Sequence, residues 1–208
     1  MHEFNNLLKE SHAIASINLI TRIYQHYFGD HMTMSFNDSD IEAQKQGVDR
    51  TVITQEGVTW TVEEKIRPPR KDGRIYQDIL LEYLSSREHG TPGWVCKPLM
   101  ADWLLYINMP HQHAFLMPVF LLQAAWQRNR QQWMSADRKK EAVNVRYTTV
   151  NAAVSVNELF LAIHEAAVRY GKGELFKEIA GTFIYPFEME PQDKLAYMAI
   201  KRQCLVTL

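Results

Sequence analysis

The segment Thr59-Trp-Thr-Val-Glu-Glu-Lys-Ile-Arg67 is predicted to form a central β-strand, because its β-branched and aromatic residues are typical of one. Successive side chains of a strand lie on opposite faces, so Glu63 and Lys65 share one face. The other face carries Glu64 with three apolar neighbours, Trp60, Val62 and Ile66. An acid and a base held on one face of a rigid strand suit metal-assisted hydrolysis. The carboxylate can bind a hard divalent cation, and the ammonium can orient water or stabilise negative charge.

A second carboxylate, Asp49, stands near the start of the preceding strand. Residues 48–54 and 58–66 are rich in β-branched side chains, and the short glycine-containing connection between them predicts a β-hairpin. The length of this connection places Asp49 opposite Glu63. The pairing therefore predicts a shared metal site, with both carboxylates as ligands and the backbone carbonyl of Glu64 and waters completing an octahedron.

The rest of the chain predicts an α+β or mixed α/β layer sandwich. Apolar residues at three- and four-residue spacings predict a helix over residues 5–28 that ends at Gly29, and a polar loop follows over residues 30–47. Further strands are expected over residues 76–84, 101–107, 114–117 and 143–150. Two more helices are expected over residues 119–133 and 156–170, with a charged loop over residues 137–141. Residues 1–170 are predicted to form one domain, on which a C-terminal appendage of residues 171–208 packs.

Asp49, followed after thirteen residues by Glu63-Glu64-Lys65 on an apolar strand, resembles the PD-(D/E)XK nuclease superfamily. The order of predicted elements over roughly residues 5–170 is also similar to its αβββαβ core. The runs at residues 78–83, 93–94 and 101–103 resemble small phage- and prophage-type members in particular. The chain departs from the motif at Val48, where the superfamily pattern has proline.

The resemblance implies a restriction-endonuclease-like core, with a central mixed sheet flanked by helices, and a nuclease that hydrolyses DNA phosphodiester bonds. Asp49 and Glu63 would bind Mg²⁺ or Mn²⁺, and Lys65 would position the attacking water. The resemblance also implies an acidic outer-shell residue from the first helix, for which Glu10 is the candidate. Many nucleases of this fold act as dimers, so a homodimer is compatible with the resemblance.

Two more acids and a basic loop are expected beside the site. Asp78 and Glu82 are four residues apart on the next strand, so they share a face and are further outer-shell candidates. Five basic residues and one acid give residues 65–74 a formal charge of +4. On this proline-stiffened loop, four basic side chains are predicted to contact phosphates of the nucleic acid: Arg67, Arg70, Lys71 and Arg74.

Two other functions fit the same pattern. The protein could be a non-catalytic nucleic-acid-binding or assembly protein of a phage or mobile element with the same fold. Alternatively, Glu63 and Lys65 could form only a solvated ladder on the sheet surface of a small-molecule hydrolase or a structural protein.

Composition excludes several classes of protein. The 208 residues carry a net charge of −1, which argues against broad coating of nucleic acid but allows a local basic surface. The longest apolar stretch, residues 114–122, is too short to cross a bilayer, and the N-terminus lacks a signal-peptide pattern, which favours a cytoplasmic protein. Cys96 and Cys204 predict no disulfide framework, and the histidines at 111 and 113 are weak evidence for zinc.

Overall fold

The structure is a computed structural model that describes residues 18–36, 46–68, 72–108 and 113–170. Within these residues the chain forms three helices and nine strands. The helices are α1 (Asn18–Phe28), α2 (Val119–Trp133) and α3 (Val156–Arg169). The strands are β1 (Thr33–Phe36), β2 (Arg50–Ile53), β3 (Thr59–Arg67), β4 (Asp78–Ser86), β5 (Thr91–Pro92), β6 (Trp103–Asn108), β7 (Ala114–Pro118), β8 (Lys139–Val143) and β9 (Thr148–Ser155). The predicted appendage of residues 171–208 lies outside the described residues.

The strands form two sheets. A five-stranded mixed sheet has the order β1-β2-β3-β6-β7, in which β3 and β6 are parallel and the other neighbours antiparallel. A four-stranded antiparallel sheet has the order β5-β4-β9-β8. The chain is therefore mixed α/β with a mixed sheet, as predicted. The second sheet was not predicted: in the described part of the connection between β3 and β6, the chain forms β4 and β5 and no helix.

Strand β6 lies at the centre of the fold and is buried over its whole length. Its residues Trp103, Leu105 and Ile107 belong to one apolar cluster with α1, and Leu104 and Tyr106 belong to another with the four-stranded sheet, α2 and α3. A strand covered on both faces needs a continuous apolar run, and residues 103–107 supply one. The five-stranded sheet therefore lies between α1 on one face and the remaining elements on the other.

Several predicted elements are confirmed. The Gly29 N–H donates to the Gln25 carbonyl at 2.8 Å and closes α1 where the C-cap was expected. Helix α2 has the predicted bounds, α3 is one residue shorter than expected, and β2 and β3 form the predicted hairpin. The predicted helical residues 5–17 lie outside the described part of the chain. Among the described residues, no helix combines the length and the apolar character that a bilayer crossing requires.

Two loop predictions are wrong. Residues 33–36, expected to be part of a loop, form β1, and residues 139–143 form β8 where a charged loop and the start of a strand were expected. The last strand begins at Thr148 and not at Val143, so β8 and β9 are a hairpin. Both missed strands lie at sheet edges and are largely exposed. Strand β8 carries charged side chains, as edge strands commonly do, and these remove the apolar alternation that identifies a strand. Strand β1 is only four residues long and lies within a polar stretch of sequence.

A buried ion pair joins β2 to β3 on the α1 side of the sheet. Arg50 is fully buried and its Nε donates to the carboxylate of Glu64. The Tyr24 hydroxyl donates to the same carboxylate at 2.8 Å, and the Arg50 guanidinium lies 3.7 Å from the centroid of the Phe36 ring. Burial raises the pKa of Glu64, while Arg50 and Tyr24 oppose that rise. These contacts tie α1, β1 and β2 to β3.

We expect Arg50→Met to lower the free energy of unfolding by about 3–5 kcal/mol, because it leaves the Glu64 carboxylate buried without its cation. The double variant Arg50→Met/Glu64→Met should lose much less than the sum of the two single variants. Urea unfolding of the three variants measures this coupling.

Arg87→Met is the matched control, because Arg87 pairs with Glu141 at the surface and its loss should cost under about 1 kcal/mol. Additive losses in the Arg50 and Glu64 variants would contradict the role given to the ion pair.

Candidate functional site

The β2–β3 pairing places Asp49 where the sequence predicted it. Arg50 is paired with Val62, so Asp49, immediately before β2, falls in line with Glu63. The Asp49 N–H donates to the Val62 carbonyl at 2.9 Å, and Asp49 Oδ2 accepts the Glu64 N–H at 2.6 Å. The Asp49 carboxylate is therefore held against the backbone of β3, beside the strand that carries Glu63 and Lys65.

Glu63 and Lys65 form an ion pair in a protected position. The Lys65 ammonium contacts the Glu63 carboxylate, and Glu63 is only 5% exposed. Strand β8 offers a comparison: Lys139 and Glu141 have the same two-residue spacing and pair at 2.6 Å, but both are exposed. The β8 pair is a solvated surface ladder. Glu63 is buried, so that description does not fit the pair on β3.

The electrostatics of this cluster show an excess of negative charge. Burial raises the pKa of Asp49, the nearby Glu63 carboxylate raises it further, and Lys65 opposes both. Burial alone would lower the pKa of Lys65, but the carboxylates of Glu63, Asp49 and Glu82 outweigh burial and raise it. The Lys65 ammonium thus contacts the Glu63 carboxylate and lies near enough to those of Asp49 and Glu82 for their charges to act on it, an arrangement that a bound cation would stabilise.

Glu82 on β4, one of the predicted outer-shell candidates, lies near this cluster. It lies close enough to Lys65 and Glu63 to feel their charges, and the Trp94 N–H donates to its carboxylate. A β-bulge follows directly, since Glu82 pairs with Asn151 and Leu84 pairs with Val150. Bulges redirect side chains and are common beside functional sites. Glu82 therefore adds a carboxylate from the second sheet.

A segment that we call the strap, residues 93–100, connects Glu82 to the turn before Asp49. A Cβ at Gly93 would lie 2.2 Å from the Glu82 carbonyl oxygen, so only glycine allows this close packing. At the other end, a Cβ at Gly47 would lie 2.4 Å from Leu99 Cδ2 and 3.2 Å from Glu63 Oε2, and Gly47 has a positive φ of 71°. The strap thus packs against both sides of the cluster.

Lys97 lies in the middle of the strap and was not predicted. Its charge lowers the pKa of Glu82, although burial of Glu82 has the larger, opposite effect. No local pattern identifies Lys97, because its position depends on the packing of the strap on β4. Gly47 did offer a signal in the sequence, because glycine is the residue that tolerates a positive φ and a close approach of the backbone.

The remaining predicted residues are less closely associated with the cluster. Asp78 pairs with Arg67 at 2.7 Å, and the Arg67 guanidinium lies 3.4 Å from the centroid of the Tyr76 ring. The Arg67 side chain is 14% exposed, whereas that of Arg74 is 78% exposed and pairs with Asp72 at 3.2 Å. Arg74 is thus the better placed of these two arginines for a phosphate contact. Arg70, Lys71 and Glu10 lie outside the described residues.

The oxygen donors in the cluster fit a hard divalent cation. Because the Glu64 N–H points to Asp49, and the N–H and C=O of a residue in an extended strand face the same edge, the Glu64 carbonyl faces Asp49 as well. Two carboxylates and a carbonyl are ligands that Mg²⁺ and Mn²⁺ accept. Among the residues that the structure describes, no three His, Cys, Asp or Glu side chains are grouped closely enough to hold a metal by themselves. The carbonyl and waters would therefore complete the coordination.

Comparison with known proteins gives no match to this chain among family models, curated proteins or solved structures. The assignment of roles therefore depends on the geometry of the cluster and on the motif in the sequence.

We expect Asp49→Asn to raise the free energy of unfolding of the metal-free protein by about 1 kcal/mol near pH 8, within the usual gain from relieving a strained functional site. The folded state raises the pKa of Asp49, so this group destabilises the fold progressively as pH rises through that raised pKa. Below the ordinary aspartate pKa the penalty is absent. The gain from the substitution should therefore shrink as pH falls.

Urea unfolding with EDTA at several pH values measures this gain. Asp72→Asn, at an exposed acid, should change stability little at any of them. A loss of stability in Asp49→Asn near pH 8 would show that the hydrogen bond to the Glu64 N–H outweighs the repulsion.

Proposed function

We propose that the protein is a divalent-metal-dependent nuclease that hydrolyses DNA phosphodiester bonds. The observation that carries the proposal is the 2.6 Å hydrogen bond from the Glu64 N–H to Asp49 Oδ2, which brings the Asp49 carboxylate to the strand that bears Glu63 and Lys65. The motif in the sequence resembles that of a nuclease superfamily, and the pairing of β2 with β3 supports the proposal because it brings the residues of the motif close together. The buried position of Glu63 also supports a functional site over a surface ladder.

Each residue has a role that its contacts support. Asp49, Glu63 and the Glu64 carbonyl would hold Mg²⁺ or Mn²⁺. When bound, the cation supplies Lewis-acid stabilisation of the phosphoryl charge. Lys65, paired with Glu63, would orient the attacking water and stabilise the charge that develops on the phosphate oxygens. Glu82 would hold the Lys65 ammonium from the side of the second sheet.

The choice of DNA as substrate depends on charge and on the resemblance. The basic segment 65–74 leaves the strand that carries Lys65, and Arg74 is exposed on it. Exposed basic side chains of this kind can contact the phosphate backbone without recognising the base sequence. A non-catalytic nucleic-acid-binding protein would share these contacts, and metal binding and cleavage separate the two functions.

We expect the purified chain to cleave DNA with Mg²⁺ or Mn²⁺, and Glu63→Gln and Lys65→Ala each to lower the rate by at least about 100-fold, as removal of a transition-state-stabilising group does. Supercoiled plasmid, linear duplex and single-stranded DNA should all be assayed, because the site does not specify the form of the substrate.

Lys139→Ala and Glu141→Gln are the matched controls, because they break a pair of the same spacing on the exposed strand β8. Their rates should equal that of the unmodified chain. Cleavage that survives both Glu63→Gln and Lys65→Ala would disprove the assigned roles. DNA binding without cleavage on any substrate would favour the non-catalytic alternative.

We also expect Mg²⁺ or Mn²⁺ to raise the melting temperature. Metal at ten times its dissociation constant adds about 1.4 kcal/mol to the free energy of unfolding. A thermal-shift titration should show this rise, and Asp49→Asn should abolish it, whereas Asp72→Asn should preserve it. An equal rise in Asp49→Asn would place the metal elsewhere.

A further inference from the structure

A groove of about 350 Å³ lies between the strap and helix α2. Its nine lining residues include one lysine, two glutamines and two aromatic residues, and none of them is acidic. The residues used in the argument are Lys97 from the strap, Phe120, Gln123 and Gln127 from α2, and Tyr170 after α3. The groove therefore has one cation, Lys97, on the strap side, two glutamines along α2, and an aromatic end formed by Phe120 and Tyr170.

The aromatic end presents exposed rings. Phe120 is 60% exposed although it begins a helix whose other apolar residues are mostly buried. Its ring centroid lies 4.7 Å from that of Tyr170, which is also exposed. Exposed aromatic rings beside a cation are typical of surfaces that bind single-stranded nucleic acid, because every base offers a flat face for stacking.

The backbone of Lys97 is fixed to the helix. Gln123 Nε2 donates to the Lys97 carbonyl at 2.8 Å, so α2 holds the part of the strap that carries Lys97. One turn further along the helix Gln127 is exposed, and Arg130 lies close enough to Cys96 to affect its pKa. Phe120, Gln123, Gln127 and Arg130 recur at three- and four-residue spacings, so they follow one side of α2. Arg130 thus adds a second positive charge near Cys96, one of the residues that line the groove.

The strap joins this groove to the candidate site. The Val95 N–H donates to the Glu82 carbonyl at 3.2 Å and the Gly93 N–H to the Tyr83 carbonyl at 3.0 Å, which fixes the start of the strap on β4. Lys97 follows two residues later and lines the groove. The charge of Lys97 also lowers the pKa of Glu82, so the lysine of the groove lies near the acidic cluster that includes Lys65.

We propose that this groove binds an unpaired nucleotide of single-stranded DNA, with a base stacked on Phe120 and a phosphate beside Lys97. The proposal rests on the proposed nuclease function and adds a preference for substrates that contain unpaired nucleotides.

Binding of a fluorescein-labelled oligothymidylate, followed by anisotropy in EDTA, tests the groove without any cleavage. Phe120→Ala should weaken binding by about 5- to 100-fold, the usual range for loss of one stacking aromatic. Lys97→Ala should weaken binding. It should also make the slope of log affinity against log salt concentration shallower by the amount expected for the loss of one phosphate contact. Leu161→Ala is the matched control, because Leu161 is an apolar residue on α3 with the same 60% exposure, and it should bind as the unmodified chain does. Circular dichroism and the melting temperature check that each variant is folded.

Three results would overturn the proposal. The Phe120→Ala variant could bind the oligonucleotide as tightly as the unmodified chain does. Alternatively, the substitution could weaken binding of a blunt duplex as much as it weakens binding of the oligonucleotide. It could also reduce self-association in sedimentation without affecting DNA binding, which would make the groove a surface for a second copy. The test is independent of the nuclease assay. Selective binding without cleavage would refute the proposed function alone, and cleavage that needs Glu63 but not Phe120 would refute the groove alone.

Discussion

The buried ion pair between Arg50 and Glu64 determines where the candidate site lies. Because side chains alternate along β3, a Glu64 that faces Arg50 directs Glu63 and Lys65 to the other face. Arg50 directly follows Asp49, so fixing Arg50 also brings the Asp49 carboxylate to the Glu64 N–H. A slip of one residue in the pairing would exchange the two faces of β2. The Arg50–Glu64 pair on the α1 side of the sheet thereby positions Glu63 and Lys65 on the opposite face. It also positions the Asp49 carboxylate and the Glu64 carbonyl where β2 meets β3.

The part of this arrangement that the sequence predicts is local. A short connection limits the pairing of β2 with β3, and the two-residue period of a strand assigns Glu63 and Glu64 to opposite faces. The three- and four-residue period of an amphipathic helix likewise predicts the bounds of α2. These features depend on residues within about a dozen positions of one another, so one sequence contains the information needed to predict them.

The part that the sequence does not predict depends on contacts between distant segments. Edge strand β8 was missed because its exposed charged residues lack apolar alternation, and β1 was missed because it is only four residues long within a polar stretch of sequence. The second sheet requires β4 to pair with β9, about seventy residues away, and no local period encodes that choice. The same is true of single residues. Arg67 was expected to face nucleic acid but pairs with Asp78, and Lys97 has its position only because the strap packs on β4.

The close contacts at Gly93 and Gly47 make the local stability of the cluster depend on the strap. At one end the strap touches the backbone of β4, and at the other it touches the turn that leads into β2. Its ends therefore depend on both sheets at once, whereas each sheet keeps its own hydrogen bonds if the strap detaches. Partial opening, which usually costs less than global unfolding, would remove the Trp94 N–H from the Glu82 carboxylate while most strands remain intact. The cluster would then lose this support under mild denaturing conditions, before any large change in secondary structure.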